Sequence, residues 1–123
     1  MESFKFENLE IWKLACEYAD EIHRLTKKFP IDERFNLTSQ LDRSSSSIPD
    51  NIAEGSGAAT IRDFANYLQT SVKSTYESVS QLYRAFRRGY ITDEERIYFY
   101  GKAKLLIQKI YSFKKSIIRR NRF

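Results

Sequence analysis

The sequence predicts an all-α fold: an antiparallel, up-down-up-down four-helix bundle forming one domain over residues 1–123. Three observations point to it. Four Gly and two Pro are too few for the many turns of a β-rich chain of this length. Apolar residues recur at three- and four-residue intervals over four long segments. The breaks between those segments are short, which favours antiparallel neighbours.

The first helix is expected over residues 8–28. Trp12, Ala15, Ala19, Ile22, Thr26 and Phe29 mark one face, Asn8 is the candidate N-cap, and Pro30 stops the helix because it disfavours the α region for Phe29. A second stripe, Ile11, Leu14, Tyr18 and Leu25, lies beside the first. Together they cover more of the circumference than a bundle normally buries, so the second stripe is a candidate contact with another subunit. The second helix is expected over 33–55, capped by Asp32, with Leu37, Leu41, Ser44, Ser45, Ile48 and Ile52 facing inward. Pro49 removes a backbone donor and crowds the Ser45 carbonyl, which predicts a kink at the Ser-Ile-Pro segment or a junction of two shorter helices. Gly55-Ser56-Gly57 reads as its end.

The third helix, 60–88, carries the clearest repeat: Ala65, Leu68, Val72, Thr75, Val79, Leu82 and Phe86. Thr60 caps it and Gly89 ends it. The fourth, 92–118, opens on the capping box Thr92-Asp93-Glu94-Glu95 and buries Phe99, Ala103, Leu106, Ile110, Phe113 and Ile117. Phe4 and Phe6 are expected to pack over one end of the bundle.

Charge is unevenly divided. Residues 1–60 carry 7 Lys/Arg and 11 Asp/Glu, net −4, while residues 61–123 carry 14 and 5, net +9. Arg84, Arg87 and Arg88 cluster at the end of the third helix. Lys102, Lys104, Lys109, Lys114, Lys115, Arg119, Arg120 and Arg122 line or follow the fourth. With Tyr83, Tyr90, Tyr98 and Tyr111 nearby, these cations could hold phosphates and stack bases, which makes RNA or DNA a candidate partner. Solubility, favourable helix ends or attraction between subunits would account for the same residues.

Catalytic and metal constellations find little support. His23 is the one histidine, and it lacks the second Glu/Asp-x-x-His pair of a di-iron bundle. It has no arginine upstream, unlike small helical ribonucleases of the toxin type. Cys16 lies mid-helix beside the Ala15/Ala19 seam, the place of a structural thiol, and a lone cysteine suits a reducing compartment. No catalytic residue, cofactor, metal or small-molecule substrate is expected. The first residues lack a signal-peptide pattern and no apolar run reaches the length of a membrane span, so a cytoplasmic location without a membrane partner is expected.

Phe6-Glu7-Asn8-Leu9 with Trp12, then Leu25-Thr26-Lys27-Lys28-Phe29-Pro30, Leu37-Thr38-Ser39-Gln40-Leu41 through Arg43, and above all Ser47-Ile48-Pro49-Asp50-Asn51-Ile52-Ala53-Glu54-Gly55 carry a resemblance. Over about two-thirds of its length the chain resembles the bacterial four-helix bundle family of 23S ribosomal RNA intervening-sequence proteins. That family is similar in fold to the basic, pentameric, nucleic-acid-binding accessory protein of diversity-generating retroelements. The resemblance implies a ring-forming bundle, a homopentamer, with nucleic-acid binding as a further implication. It marks Arg43, Pro49, Asn51, Glu54 and Gly55 as signature residues, expected to hold the kink and a subunit contact. Two departures stand out. Ser44 to Ser46 replace common alanines, and the stretch after Gly55, often basic in relatives, is neutral here. That shifts any nucleic-acid contact towards the fourth helix.

Two functions fit these readings. One is a non-enzymatic homo-oligomer, a pentamer, binding RNA or DNA through a basic surface. The alternative is a structural or protein-partner scaffold without nucleic-acid binding.

Overall fold

The computed structural model describes residues 2–121, so Met1, Phe123 and the candidate cation Arg122 lie outside the described residues. Four helices account for most of the chain: α1 (Glu10–Thr26), α2 (Leu37–Ser56), α3 (Ile61–Arg87) and α4 (Asp93–Asn121). Short 3₁₀ turns at Lys5–Asn8 and Ile31–Glu33 precede α1 and α2. Among the described residues there is no strand. Each helix packs on its neighbours in chain order, and α4 closes against α1. The result is a four-helix bundle around one core.

The heptad stripes form that core. Leu37, Leu41, Ile48 and Ile52 of α2, Leu68 and Leu82 of α3 and Ile110 of α4 are fully buried, each worth about 1.5–3 kcal/mol of transfer free energy. The second stripe of α1 is also core. Ile11, Tyr18 and Leu25 are buried within the single chain and Leu14 is half-buried, so these four residues do not form an exposed stripe left over for another subunit. The reason is the position of α1, which contacts both α2 and α4 and needs an apolar arc wide enough for two partners. Tyr18 brings its hydroxyl with it, 2.7 Å from Ser78 Oγ. Burial pushes its phenol up to about 12.

Two helix starts differ from expectation. Leu9, not Asn8, is the N-cap of α1, because Lys5–Asn8 is taken up in the preceding 3₁₀ turn. The helix expected from Asp32 begins only at Leu37. Glu33 intervenes: its carboxylate accepts from Asn36 Nδ2 at 2.9 Å and from the Leu37 backbone N–H at 3.4 Å. The other two starts are as expected. Thr60 Oγ1 accepts from the Asp63 N–H at 3.1 Å. Thr92 and Glu95 exchange bonds, Thr92 N–H to Glu95 Oε1 at 2.8 Å and Glu95 N–H to Thr92 Oγ1 at 3.1 Å. Gly89 adopts φ +77° after α3, a conformation that favours glycine.

The most extensive packing is between α2 and α3. Ser47 Oγ meets Ser74 Oγ at 2.9 Å, and Ser71 Oγ donates to the Ile48 carbonyl at 2.9 Å. α2 is a single helix through Pro49. Its serines are bonded locally or across the interface: Ser45 Oγ to the Leu41 carbonyl at 2.8 Å, Ser44 Oγ to Gln81 Oε1 at 2.6 Å. Asn51 Nδ2 bonds the Ser47 carbonyl at 2.8 Å. Arg43 and Glu54 are exposed and form no ion pair among the described residues, so Glu54 does not support the backbone at the proline. Gly55 sits in the last turn of α2, where a Cβ would lie 2.7 Å from Tyr67 Cβ and 2.8 Å from Phe64 Cδ1.

Gly55→Ala should therefore lower stability by about 1–3 kcal/mol through overpacking, although alanine is the better helix former by about 1 kcal/mol. The urea midpoint checks this; an unchanged or raised midpoint would show that α3 can move aside.

Candidate nucleic-acid interface

The candidate cations lie on three helical stretches whose placement follows from helix direction. α3 and α4 run antiparallel: the Phe64 and Phe113 rings pack edge to face at 5.6 Å, while Arg96, near the start of α4, stands 5.0 Å from the ring centroid of Phe86, near the end of α3; Lys114 Nζ donates to Gln69 Oε1 at 3.0 Å. The C-terminal turns of α4 thus lie beside the start of α3. Arg84, Arg87 and Arg88 lie at the other end of α3. Gln69 and Arg84 are separated by about 22 Å along the axis at about 1.5 Å per residue. The basic residues therefore form separate groups, not one continuous face.

Two central lysines of α4, Lys102 and Lys109, are engaged by α1, while Lys104 is exposed. Lys102 Nζ reaches Glu17 Oε1 at 3.0 Å and Glu21 Oε1 at 3.1 Å, and stands 5.5 Å from the Tyr98 ring centroid. Lys109 Nζ reaches Glu10 Oε1 at 2.6 Å. Lys28, just beyond α1, pairs in turn with Glu95 of α4. Burial acts to lower the Lys102 ammonium, but bonds to Glu17, Glu21 and Tyr98 outweigh it and raise the group above its ordinary range. Burial acts to raise the Glu95 carboxyl, but Lys28 and the Thr92 N–H outweigh it and hold it below the usual carboxylate range. Lys102 and Lys109 therefore bridge two helices. The acidic first half and basic second half of the chain meet here, within one molecule.

The arginines at the end of α3 are partly engaged too. Arg88 Nη1 donates to Glu33 Oε2 at 2.8 Å, joined by the Tyr90 hydroxyl at 2.6 Å. Arg84 Nη1 donates to Gln40 Oε1 at 3.1 Å. The Tyr90 hydrogen bond does most to hold the Glu33 carboxyl below its usual value, with Leu37, Asn36 and Arg88 adding to it. Arg87 is exposed. Tyr98 donates to Glu21 Oε2 at 2.9 Å, so Tyr90 and Tyr98 are both committed to carboxylates within the chain.

At the end of α4 the environment differs. Lys115 and Arg119 are exposed and have no carboxylate partner among the described residues. Lys114 bonds the neutral Gln69, and Arg120 Nη2 donates to the neutral Ser116 Oγ at 3.0 Å. Lys5, which charge counting along α4 could not reveal, stands 5.8 Å from the Phe64 ring centroid at this same end. A groove there is lined by Leu9, Ile61, Phe64, Phe113 and Ile117 with Lys5 and Arg120.

Catalytic chemistry finds no assembled centre among the described residues. Burial raises the half-buried Cys16 thiol, and Asp20 and Asp50 raise it further, which disfavours the thiolate. His23 is exposed, its Nδ1 3.4 Å from Asp42 Oδ1. Among the described residues no three His, Cys, Asp or Glu side chains gather to hold a metal ion, and no helix is long and apolar enough to cross a membrane.

Comparison with known families settles the kinship. A family described as 23S rRNA-intervening sequence protein matches residues 7–119. The chain belongs to that family. The match takes in Arg43, Pro49, Asn51, Glu54 and Gly55 as well as most of α4. The chain is also similar to a crystal structure from Bacteroides thetaiotaomicron VPI-5482, described as a protein of unknown function from the S23 ribosomal protein family. The two are 28% identical, with a TM-score of 0.77 over 85% of this chain and 98% of that one. No curated protein matches the chain.

For this 23S rRNA-intervening sequence family member, two outcomes follow from the geometry. Lys102→Ala should cost about 0.5–1 kcal/mol in urea unfolding, less as salt rises, since an ion-pair bridge is removed; a salt-independent cost would exclude that origin. Glu33 has a lowered carboxyl, so its stabilising contribution is present above the ordinary value of 4.5 and disappears as pH falls through the lower folded value. The midpoints of wild type and Glu33→Gln should therefore differ at neutral pH and converge in acid. A gap that widens in acid would reverse the sign.

Proposed function

We propose that this chain is a non-enzymatic cytoplasmic protein that assembles as a homopentamer and binds RNA or DNA through the cationic end of α4. The observation that carries the binding reading is the contrast along that helix. Lys102 and Lys109 are held by α1 carboxylates, while Lys115 and Arg119 have no carboxylate partner among the described residues, and Lys114 and Arg120 bond only neutral groups. Four cations within the last turns can exchange solvent counterions for phosphates. The family's description as an intervening-sequence protein of ribosomal RNA supports the same class of partner. Base-specific readout is not part of the proposal, because phosphate contacts position a nucleic acid without reading it.

Assembly draws support from exposed apolar side chains, not from the buried stripe of α1. Ile97 is 56% exposed and Leu105 46% on α4, with Tyr76 at 61% on α3. A ring would repeat the cationic end around the assembly, so weak contacts by single subunits would add. The neutral turn after Gly55 leaves this role to α4.

Binding of labelled RNA and DNA, titrated with salt, tests the proposal. Affinity should fall steeply with salt, and replacing Lys115 and Arg119 by alanine should flatten the log–log slope by about 0.7–0.9 for each phosphate no longer neutralised. Lys109→Ala should leave the slope unchanged. Absence of binding at low salt would overturn the nucleic-acid reading and leave the scaffold alternative. A solution mass equal to the 14.6 kDa chain would overturn the ring.

A further inference from the structure

We infer that the groove at the cationic end of the bundle is a nucleobase pocket, so that the protein takes single-stranded nucleic acid in preference to duplex. The inference rests on the nucleic-acid reading above and adds the strandedness of the partner and the residues that would read it.

The groove lies where the chain before α1, the start of α3 and the end of α4 meet. It measures about 330 Å³, at the small end of ordinary ligand pockets. Its wall is apolar, with Phe113, Leu9 and Ile61 half-buried and open to it over the buried Phe64 and Ile117. Its edge is cationic, with Lys5 Nζ close over the Phe64 ring and Arg120 contributed by α4.

This combination fits one nucleotide of a strand. A base offers a flat, weakly polar face to the apolar wall, while the phosphates that flank it are held by Lys5 and Arg120. Stacking of bases on aromatic side chains beside a basic track is the general way proteins hold single strands. A duplex cannot use the wall, because its bases are paired and stacked inside; it would meet the cations alone.

The experiment uses the full chain, a labelled single strand and a hairpin of the same composition, each titrated over a range of salt. Single-stranded RNA or DNA should bind about tenfold more tightly than the hairpin. Phe113→Leu, checked for helicity by circular dichroism, should remove most of that preference and leave the salt slope unchanged. A strand carrying 4-thiouridine supplies a readout free of any variant: cross-links should fall on the peptides bearing Ile61, Phe64 or Phe113. Equal binding of strand and hairpin, with a steep salt slope, would overturn the pocket and leave the basic surface standing. Cross-links confined to other peptides would overturn it as well. No binding of either probe would remove both the pocket and the reading beneath it.

Discussion

The close approach of α2 and α3 is the constraint from which the remaining packing follows. At Gly55 there is no room for a Cβ between the helices, and serines at 47, 71 and 74 keep the interface thin along the rest of its length. With these two helices drawn together, Ile48, Ile52, Leu68 and Val72 share a common interior. α1 and α4 then complete the ring of four by covering what remains. The hydroxyls buried in this interface do not stand alone, because each finds a carbonyl, an amide or another hydroxyl, which removes the cost of an unsatisfied polar group. Polar serines are therefore compatible with tight packing.

The division of charge has a comparably simple origin. Glu10 faces Lys109 and Glu17 faces Lys102, a register in which the advance along α1 equals the retreat along α4. Two antiparallel helices with matched seven-residue spacing of opposite charges align themselves in this way. Arg88, Lys102 and Lys109 of the second half are thus met by carboxylates of the first. Cations such as Arg87, Lys104, Lys115 and Arg119 stay exposed without a carboxylate partner among the described residues, and this makes the position of a cation, more than the number of cations, the quantity that bears on function.

Much of the fold is legible in the sequence, because the stripes of α2, α3 and α4 are regular and because Thr60 and Thr92 cap through side chains only three residues away. The start of α2 is not legible. Asp32 is a good local cap, but Glu33 is drawn into a cluster with Tyr90 and Arg88, residues distant in sequence, and the helix begins beyond it. The stripe Ile11, Tyr18 and Leu25 is plainly apolar, yet periodicity cannot say whether its partner is α4 or another subunit. Gly55 reads as a helix end, and only the positions of Phe64 and Tyr67 show that it is a point of close approach. At the candidate interface, residue type picks out the cations, but their pairing depends on the opposite helix. Lys5 carries no local signal, because its relevance comes from Phe64 and Arg120, which no sequence pattern connects to it.

The pairing of α1 with α4 has a consequence for how the molecule comes together. α2 and α3 are joined by a short turn and can meet early, whereas Glu10 and Lys109 stand almost at opposite ends of the chain. Their pairing carries the largest loop-closure entropy in the bundle. It is also the sparsest of the four helix interfaces. The seam that joins the chain's two ends is thus the last to be rewarded in folding and the least costly to open. The bundle can be viewed as a helical hairpin of high local stability, α2 with α3, clasped by two outer helices whose hold is partly electrostatic.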